Sequence, residues 1–243
     1  MKESSSQPFL AHLIELRSRL LYMFLALIVG TGLSFLFAEE IYHWLATPLY
    51  QHLPKDSHLI TLSIMEGWLV YFKTAFIAGV CLSAPFCLYH LWAFLAPGLL
   101  KQEQSLLIKA ALGSSFCFLI GILFCYYVIM PTGLSVLIAF VNPNDITFMP
   151  QMSLYLSFVT RLLFSFGFVF QLPLLIVLLV KWRIVELATF KRLRRHMVVA
   201  AFVIGAILTP PDALTQTMMA LPFIVLYEVG ILLARGIKVK NEN

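Results

Sequence analysis

Apolar residues along this chain gather into six long runs with polar punctuation between them, at 20–37, 68–95, 108–130, 158–180, 197–208 and 214–234. Most approach the ~20 residues that a helix of ~1.5 Å rise per residue needs to cross a ~30 Å hydrocarbon core. They lack the alternation of lipid-facing and lumen-facing residues that marks a membrane barrel. The pattern predicts an all-α integral membrane protein with six transmembrane helices. The fifth crossing, from about 196 to 208, is squeezed between Arg194-Arg195 and Thr209-Pro210-Pro211-Asp212. It supplies about 20 Å of helix, well short of a ~30 Å core. The sixth is interrupted by Pro222 and carries Glu228. Helices five and six are therefore read as short, so the bilayer thins around them or a partner shields them. Pro85, Pro173 and several glycines fall inside helices two to four. Prolines bend membrane helices and free a backbone carbonyl, and bent helices make a curved wall rather than a tight bundle.

The segments between the runs are too short for a separate folded domain, so residues 1–243 read as one membrane domain. Residues 1–8 are polar and read as disordered, and 235–243 as a tail. Residues 9–20 read as an amphipathic helix on the membrane surface. Leu13, Leu16 and Leu20 share one stripe, and Glu15 and Arg19 stand four apart on another. Residues 41–50 predict an interfacial helix anchored by Trp44 and Tyr50, with Pro48 and Pro54 as punctuation. The loop 131–157 opens at Met130-Pro131 and turns at Asn142-Pro143-Asn144-Asp145; its 149–155 portion predicts a second short interfacial helix.

Charge sets the orientation. Only 12% of the 243 residues are charged, against ~25% in soluble domains. The cations lie on one side: Lys2, Arg17 and Arg19; Lys101 and Lys109; Lys181, Arg183, Lys191, Arg192, Arg194 and Arg195; Arg235, Lys238 and Lys240. The alternate loops hold Lys55. Positive-inside bias then places both termini in the cytoplasm. The net charge of +5 follows these loops rather than one soluble face, which argues against nucleic-acid binding. No small-residue cleavage pattern follows the first run, which reads as a retained helix. Cys81, Cys87, Cys117 and Cys125 all sit within apolar runs at spacings that match no metal or redox motif. The histidines are scattered, and no cofactor or metal is expected.

Charged groups at membrane depth cost at least ~2.5–3.5 kcal/mol each and are functional candidates. Glu66 and Lys73, seven apart at the start of helix two, share a face; Arg161 stands at one end of helix four. Gln171 and Glu228 lie deeper. Internal pairing or snorkelling is the bland account of all five. Glu15 and Glu103 stand where the positive-inside rule wants cations. Two carboxylates beside a membrane suit guanidinium ligands, because arginine presents a planar fork of donors that lysine lacks. The bland alternatives are an i,i+4 pair of Glu15 with Arg19 and a solvated loop charge at Glu103.

In order and spacing the chain resembles the TatC family, the multi-spanning receptor subunit of the twin-arginine protein translocase. The resemblance is carried by HLIELRSRL at 12–20; by Ala84-Pro85, LWAFLAPGL at 91–99 and Glu103; and by 116–131 with Gly121, Phe124 and Tyr126. It continues in FGFVFQLP at 166–173, Arg194-Arg195, and TPPD at 209–212 followed by Gln216, Pro222 and Tyr227-Glu228. It implies a subunit, not an enzyme, that binds twin-Arg signal peptides at the cytoplasmic face and nucleates assembly with TatA- and TatB-like single-span partners. That multimeric complex, in the bacterial inner membrane, would export folded proteins on the proton-motive force. The family's recognition carboxylates fall on Glu15 and Glu103, with Arg17, Leu20 and Phe94 at neighbouring positions of the same surface. Pro48, Glu66 and Asp212 match further weighted positions. Gln171 stands where many members carry Glu. Thr209 and Gln216, near the ends of helices five and six, are candidates for partner contact.

Two other classes compete. An ion-coupled transporter would use the buried carboxylates and broken helices, but the two three-helix halves show no similarity. An intramembrane enzyme would need Ser114-Ser115 with His90 as nucleophile and base, and no nucleophile elbow accompanies them.

Overall fold

The computed structural model describes residues 6–53, 58–95, 104–139, 149–208 and 213–236. Helix follows helix: α1 (Ser6–Phe35), α2 (Ala38–Tyr50), α3 (Ile64–Leu95), α4 (Gln104–Phe124), a π-helical turn (Cys125–Ile129), α5 (Met130–Ala139), α6 (Met152–Val169), α7 (Leu172–Lys181), α8 (Leu187–Leu208) and α9 (Ala213–Arg235). Among the described residues the isolated β-bridge is a parallel one, Ile60 with Gln151. The segments Leu13–Phe35, Ile64–Phe94, Ile108–Ala139, Met152–Lys181 and Ala213–Arg235 are each long and apolar enough to cross a membrane. With the apolar half of α8 they account for the six predicted crossings.

The helices differ from the sequence expectation mainly in where they stop. The surface helix expected at 9–20 is not separate. It continues into the first crossing as the single 30-residue α1, because 9–20 contains no Gly or Pro to stop it. The third crossing does not end at Pro131 but runs on to Ala139. Proline removes an N–H and crowds the preceding turn. The π-helical turn absorbs this: it widens the helix just before the proline, and the Met130 N–H reaches back to the Cys125 carbonyl. The 149–155 segment is not an independent helix, since most of it forms the first turn of α6. The fourth crossing is interrupted where expected, at Phe170-Gln171 between α6 and α7, with Pro173 near the start of α7.

Helices α8 and α9 have 22 and 23 residues against 30 and 32 for α1 and α3, although the crossing part of α1, Leu13–Phe35, also has 23. What is short in α8 is its apolar half. The helix itself begins at Leu187, and its first half carries Lys191, Arg192, Arg194 and Arg195. Helix α9 runs unbroken through Pro222 and at ~1.5 Å per residue covers about 34 Å, enough to cross.

The chain gathers into two compact units, Met1–Tyr42 with Tyr71–Phe116, and His43–Val70 with Cys117–Asn243. In the first unit, α1 crosses α3 at Gly30 and Gly79. A Cβ on Gly79 would lie 2.6 Å from the Thr31 backbone. Small residues at such crossings let helix backbones approach where lipid gives no hydrophobic drive. Trp92 of α3 donates its indole N–H to Ser114 Oγ at 2.6 Å, and Ser115 donates to the Ala111 carbonyl at 2.8 Å. Both serines are buried. Both hydroxyls take part in packing bonds, the ordinary role of small polar residues in membrane helices.

In the second unit, α4 meets α6 at Gly121, where a Cβ would lie 2.6 Å from the Phe166 carbonyl oxygen. A Cβ on Gly230 of α9 would lie 2.7 Å from Ile176 Cδ1 and 2.9 Å from Pro173 Cα of α7. Ile176, Val180, Tyr227, Ile231 and Ala234 form a core there, with Leu187, Phe190 and Met197 of α8 against it. The predicted helix at 41–50 is present as α2, and its part within this unit buries Leu45, Ala46 and Leu49. Tyr126 stacks on Trp44 at 4.0 Å and donates its hydroxyl to the Trp44 carbonyl, and Tyr155 donates to the Leu45 carbonyl. Interior tyrosine hydroxyls thus bond backbone carbonyls of α2.

Candidate functional site

The polar groups singled out in the sequence fall at three places. The first is α1. Glu15 and Arg19 form the i,i+4 pair, with Arg19 Nε at 2.9 Å and NH2 at 2.5 Å from the same carboxylate oxygen, Glu15 Oε1. Their side chains are 40% and 22% exposed, so the carboxylate is accessible. One turn beyond Arg19, the Tyr22 ring stacks on His90 of α3 at 5.7 Å, and Phe86 packs edge-on against the same imidazole at 4.5 Å. Phe94 stands one turn further along α3 and is partly buried. Two residues along a helix is about 200° of rotation, so Arg17 does not join Glu15. It lies with Leu13, Leu16, Leu20, Leu21 and Phe24 along a shallow apolar groove. Glu103, the second predicted carboxylate, lies outside the described residues, as do Thr209 and Asp212.

The second place joins the starts of α3 and α6. Glu66 is 8% exposed. One carboxylate oxygen accepts the Leu62 N–H at 2.7 Å; the other accepts the Gln151 side-chain amide at 2.8 Å and the Ser153 N–H at 3.2 Å. Beside it, the Ile60 N–H donates to the Pro150 carbonyl and the Met152 N–H to the Ile60 carbonyl. Gln151 occupies the N-cap of α6 but makes no side-chain cap bond. Glu66 supplies the cap from another helix, placing a negative charge on the positive end of α6. Lys73, two turns further along α3, is exposed, as is Arg161 on α6.

The third place is the pair α8 and α9. Arg194 NH2 donates to Glu228 Oε2 at 2.8 Å, and Tyr227 donates its hydroxyl to the Phe190 carbonyl at 2.8 Å. Gln216 donates to the Phe202 carbonyl at 3.0 Å, and Gly205 admits the Gln216 backbone beside α8. Glu228 is thus paired within the protein, and the Gln216 amide bonds α8. Gln171 occupies the N-cap position of α7 without a side-chain cap bond and is partly buried. Both partners of the Arg194–Glu228 pair are about two-fifths exposed, so it contributes modestly. Glu228→Gln should lower stability by about 0.5–1 kcal/mol, read by thermal unfolding in detergent. The reversed pair, Arg194→Glu with Glu228→Arg, should recover most of that loss; no recovery would mean that the contact carries no coupling energy.

Sequence reasoning named the Glu15–Arg19 pair, and for Glu228 it named internal pairing only as the bland alternative to a functional role. It missed Gln151 and Ser153 as partners of Glu66. A carboxylate in the first turn of α3 signals a local cap, but nothing local announces that its second oxygen closes a helix 85 residues away.

An all-helical, multi-pass membrane protein whose carboxylates pair with guanidinium and backbone donors is defined by this geometry. The model of the TatC family, described as Sec-independent protein translocase protein, matches residues 11–222. Sec-independent protein translocase protein TatC of Halothiobacillus neapolitanus is 42% identical over 97% of this chain, which spans 64% of that longer relative. The TatC protein of Escherichia coli K12 is 37% identical, with 100% of this chain and 94% of that protein covered. A crystal structure of the twin-arginine translocase receptor TatC superposes with a TM-score of 0.82 at 35% identity, covering 92% of this chain and 98% of that one. The chain belongs to the TatC family, whose members are protein translocase components rather than enzymes.

Proposed function

We propose that this protein is the signal-peptide receptor subunit of a twin-arginine translocase in the bacterial inner membrane, with both termini in the cytoplasm. Glu15 on α1 and Glu103 in the following cytoplasmic loop take the two guanidinium groups of the ligand. Arg17, Leu20 and Phe94 contribute the surrounding surface. TatA- and TatB-like single-span subunits assemble on the receptor, through packing and through Thr209 and Gln216. The multimeric complex exports folded proteins on the proton-motive force. Gln171 and Asp212 serve the membrane-embedded part of the cycle, together with Glu66 and Glu228, which join helices through their bonds. Orientation rests on the loop cations.

The observation that carries this reading, beyond family membership, is the Glu15 carboxylate. It is accessible and already accepts an arginine fork through two N–H groups. Charge-assisted bonds of this kind match arginine better than lysine. The test is binding of a labelled twin-Arg signal peptide to purified protein in nanodiscs. Replacing the arginines by lysines, or either carboxylate by alanine, should weaken binding about tenfold or more, as loss of a charge-assisted pair of ~1.5–3 kcal/mol implies. Binding indifferent to the arginines and to both carboxylates would rule the reading out.

A further inference from the structure

One oxygen of the carboxylate assigned to the ligand, Glu15 Oε1, is already occupied by a guanidinium, so a fork that takes both oxygens must displace it. Arg19 places both Nε and NH2 on Glu15 Oε1, and it stands four residues C-terminal to Glu15, the favoured order for a helical ion pair. No bond from another described side chain is shared with that oxygen. We propose that Arg19 is a built-in competitor: its guanidinium holds Glu15 in the empty receptor, and a twin-arginine ligand binds by displacing it. This inference rests on the receptor reading, because it deepens the role of the same carboxylate.

The geometry suits a competitor in three respects. The occupant has the same chemistry as the proposed ligand, so the two cannot share one oxygen's lone pairs without cost. The pair is accessible, at 40% and 22% exposure, so a ligand reaches it without unfolding α1. An exposed i,i+4 pair is also weak enough to yield. A competitor reduces apparent affinity by the fraction of receptor whose site is free. The reduction is the same for every ligand that must displace it. Arg19 therefore leaves the ratio between twin-Arg and twin-Lys peptides unchanged but lowers both. The weaker, lysine-bearing ligand then falls below a useful affinity, a form of selection against the wrong partner. Between ligands, Arg19 keeps a negative group at the membrane surface from collecting other cations.

The experiment measures the affinity of twin-Arg and twin-Lys peptides for wild type, Arg19→Gln, Arg19→Lys and Glu15→Gln in nanodiscs. Arg19→Gln should tighten both peptides by the same factor, about two- to tenfold, the range between an exposed helical pair and a partly desolvated one. Arg19→Lys retains the charge but loses the fork, so its affinity should lie between wild type and Arg19→Gln. It also serves where Arg19→Gln does not fold. Glu15→Gln should weaken binding. Weaker or unchanged binding by Arg19→Gln, with Glu15→Gln still impaired, overturns the competitor and leaves the receptor reading intact. An Arg19→Lys affinity equal to wild type, with Arg19→Gln tighter, also overturns it, since bulk charge alone would then explain the gain. Binding by wild type that ignores Glu15→Gln removes the receptor reading, and the competitor with it.

Discussion

Glu66→Ala is expected to be among the more destabilising single substitutions in this protein. The carboxylate is buried and accepts three N–H donors, two of them backbone groups at the starts of two helices. Removing the carboxylate takes the side-chain acceptor from all three of these part-buried donors at once. The first turn of α6 also loses the side-chain cap that Glu66 supplies, since Gln151 makes none of its own. Glu66→Gln should cost less, because its carbonyl still accepts while its amide faces a donor. Gln151→Ala should cost least, leaving both backbone donors on the carboxylate. Thermal unfolding in detergent gives the ranking, and hydrogen exchange at Leu62 and Ser153 gives the mechanism. Those two amides should lose protection first in Glu66→Ala. Unchanged protection would show that Glu66 does not close the two helix starts.

Which parts of this were legible beforehand follows from the range of the forces involved. Apolar runs report local burial in lipid, so the six crossings and the break near Pro173 could be read directly. The i,i+4 relation of Glu15 and Arg19 is likewise local. Helix ends were less legible, because a membrane helix stops where backbone groups find other partners, not where its sequence turns polar. The third crossing passes Pro131 because a π-helical turn precedes it, and α8 continues into a basic segment whose cations reach water or a carboxylate such as Glu228. Long-range pairs were the least legible. Glu66 with Gln151 and Trp92 with Ser114 are joined only after the helices pack. Each residue taken singly has an ordinary local explanation.

Gly79→Val should separate α1 from α3 and lower stability by about 4 kcal/mol, with Gly79→Ala costing about 2 kcal/mol, in the range for forcing extra atoms into a packed site. A Cβ at 79 would stand 2.6 Å from Thr31 N, Cα and Oγ1. Two of those atoms are backbone, so no rotamer change relieves the clash and the helices themselves must part. The opposing glycine offers no slack, since a Cβ on Gly30 would lie 2.9 Å from the Gly79 carbonyl oxygen. Gly32, two residues along α1, has nothing within 4 Å of its Cβ position, and Gly32→Ala should be neutral. That contrast separates a packing effect from the general cost of altering glycine in a membrane helix. The separation also reaches the candidate site. Glu15 and Arg19 ride on α1, while the residues that pack beyond them, His90 and Phe86, belong to α3. In Gly79→Ala, which should remain folded, the Tyr22–His90 stack should loosen and signal-peptide affinity should fall. Weakened stability with unchanged affinity would show that Glu15 binds its ligand from α1 alone, without support from α3.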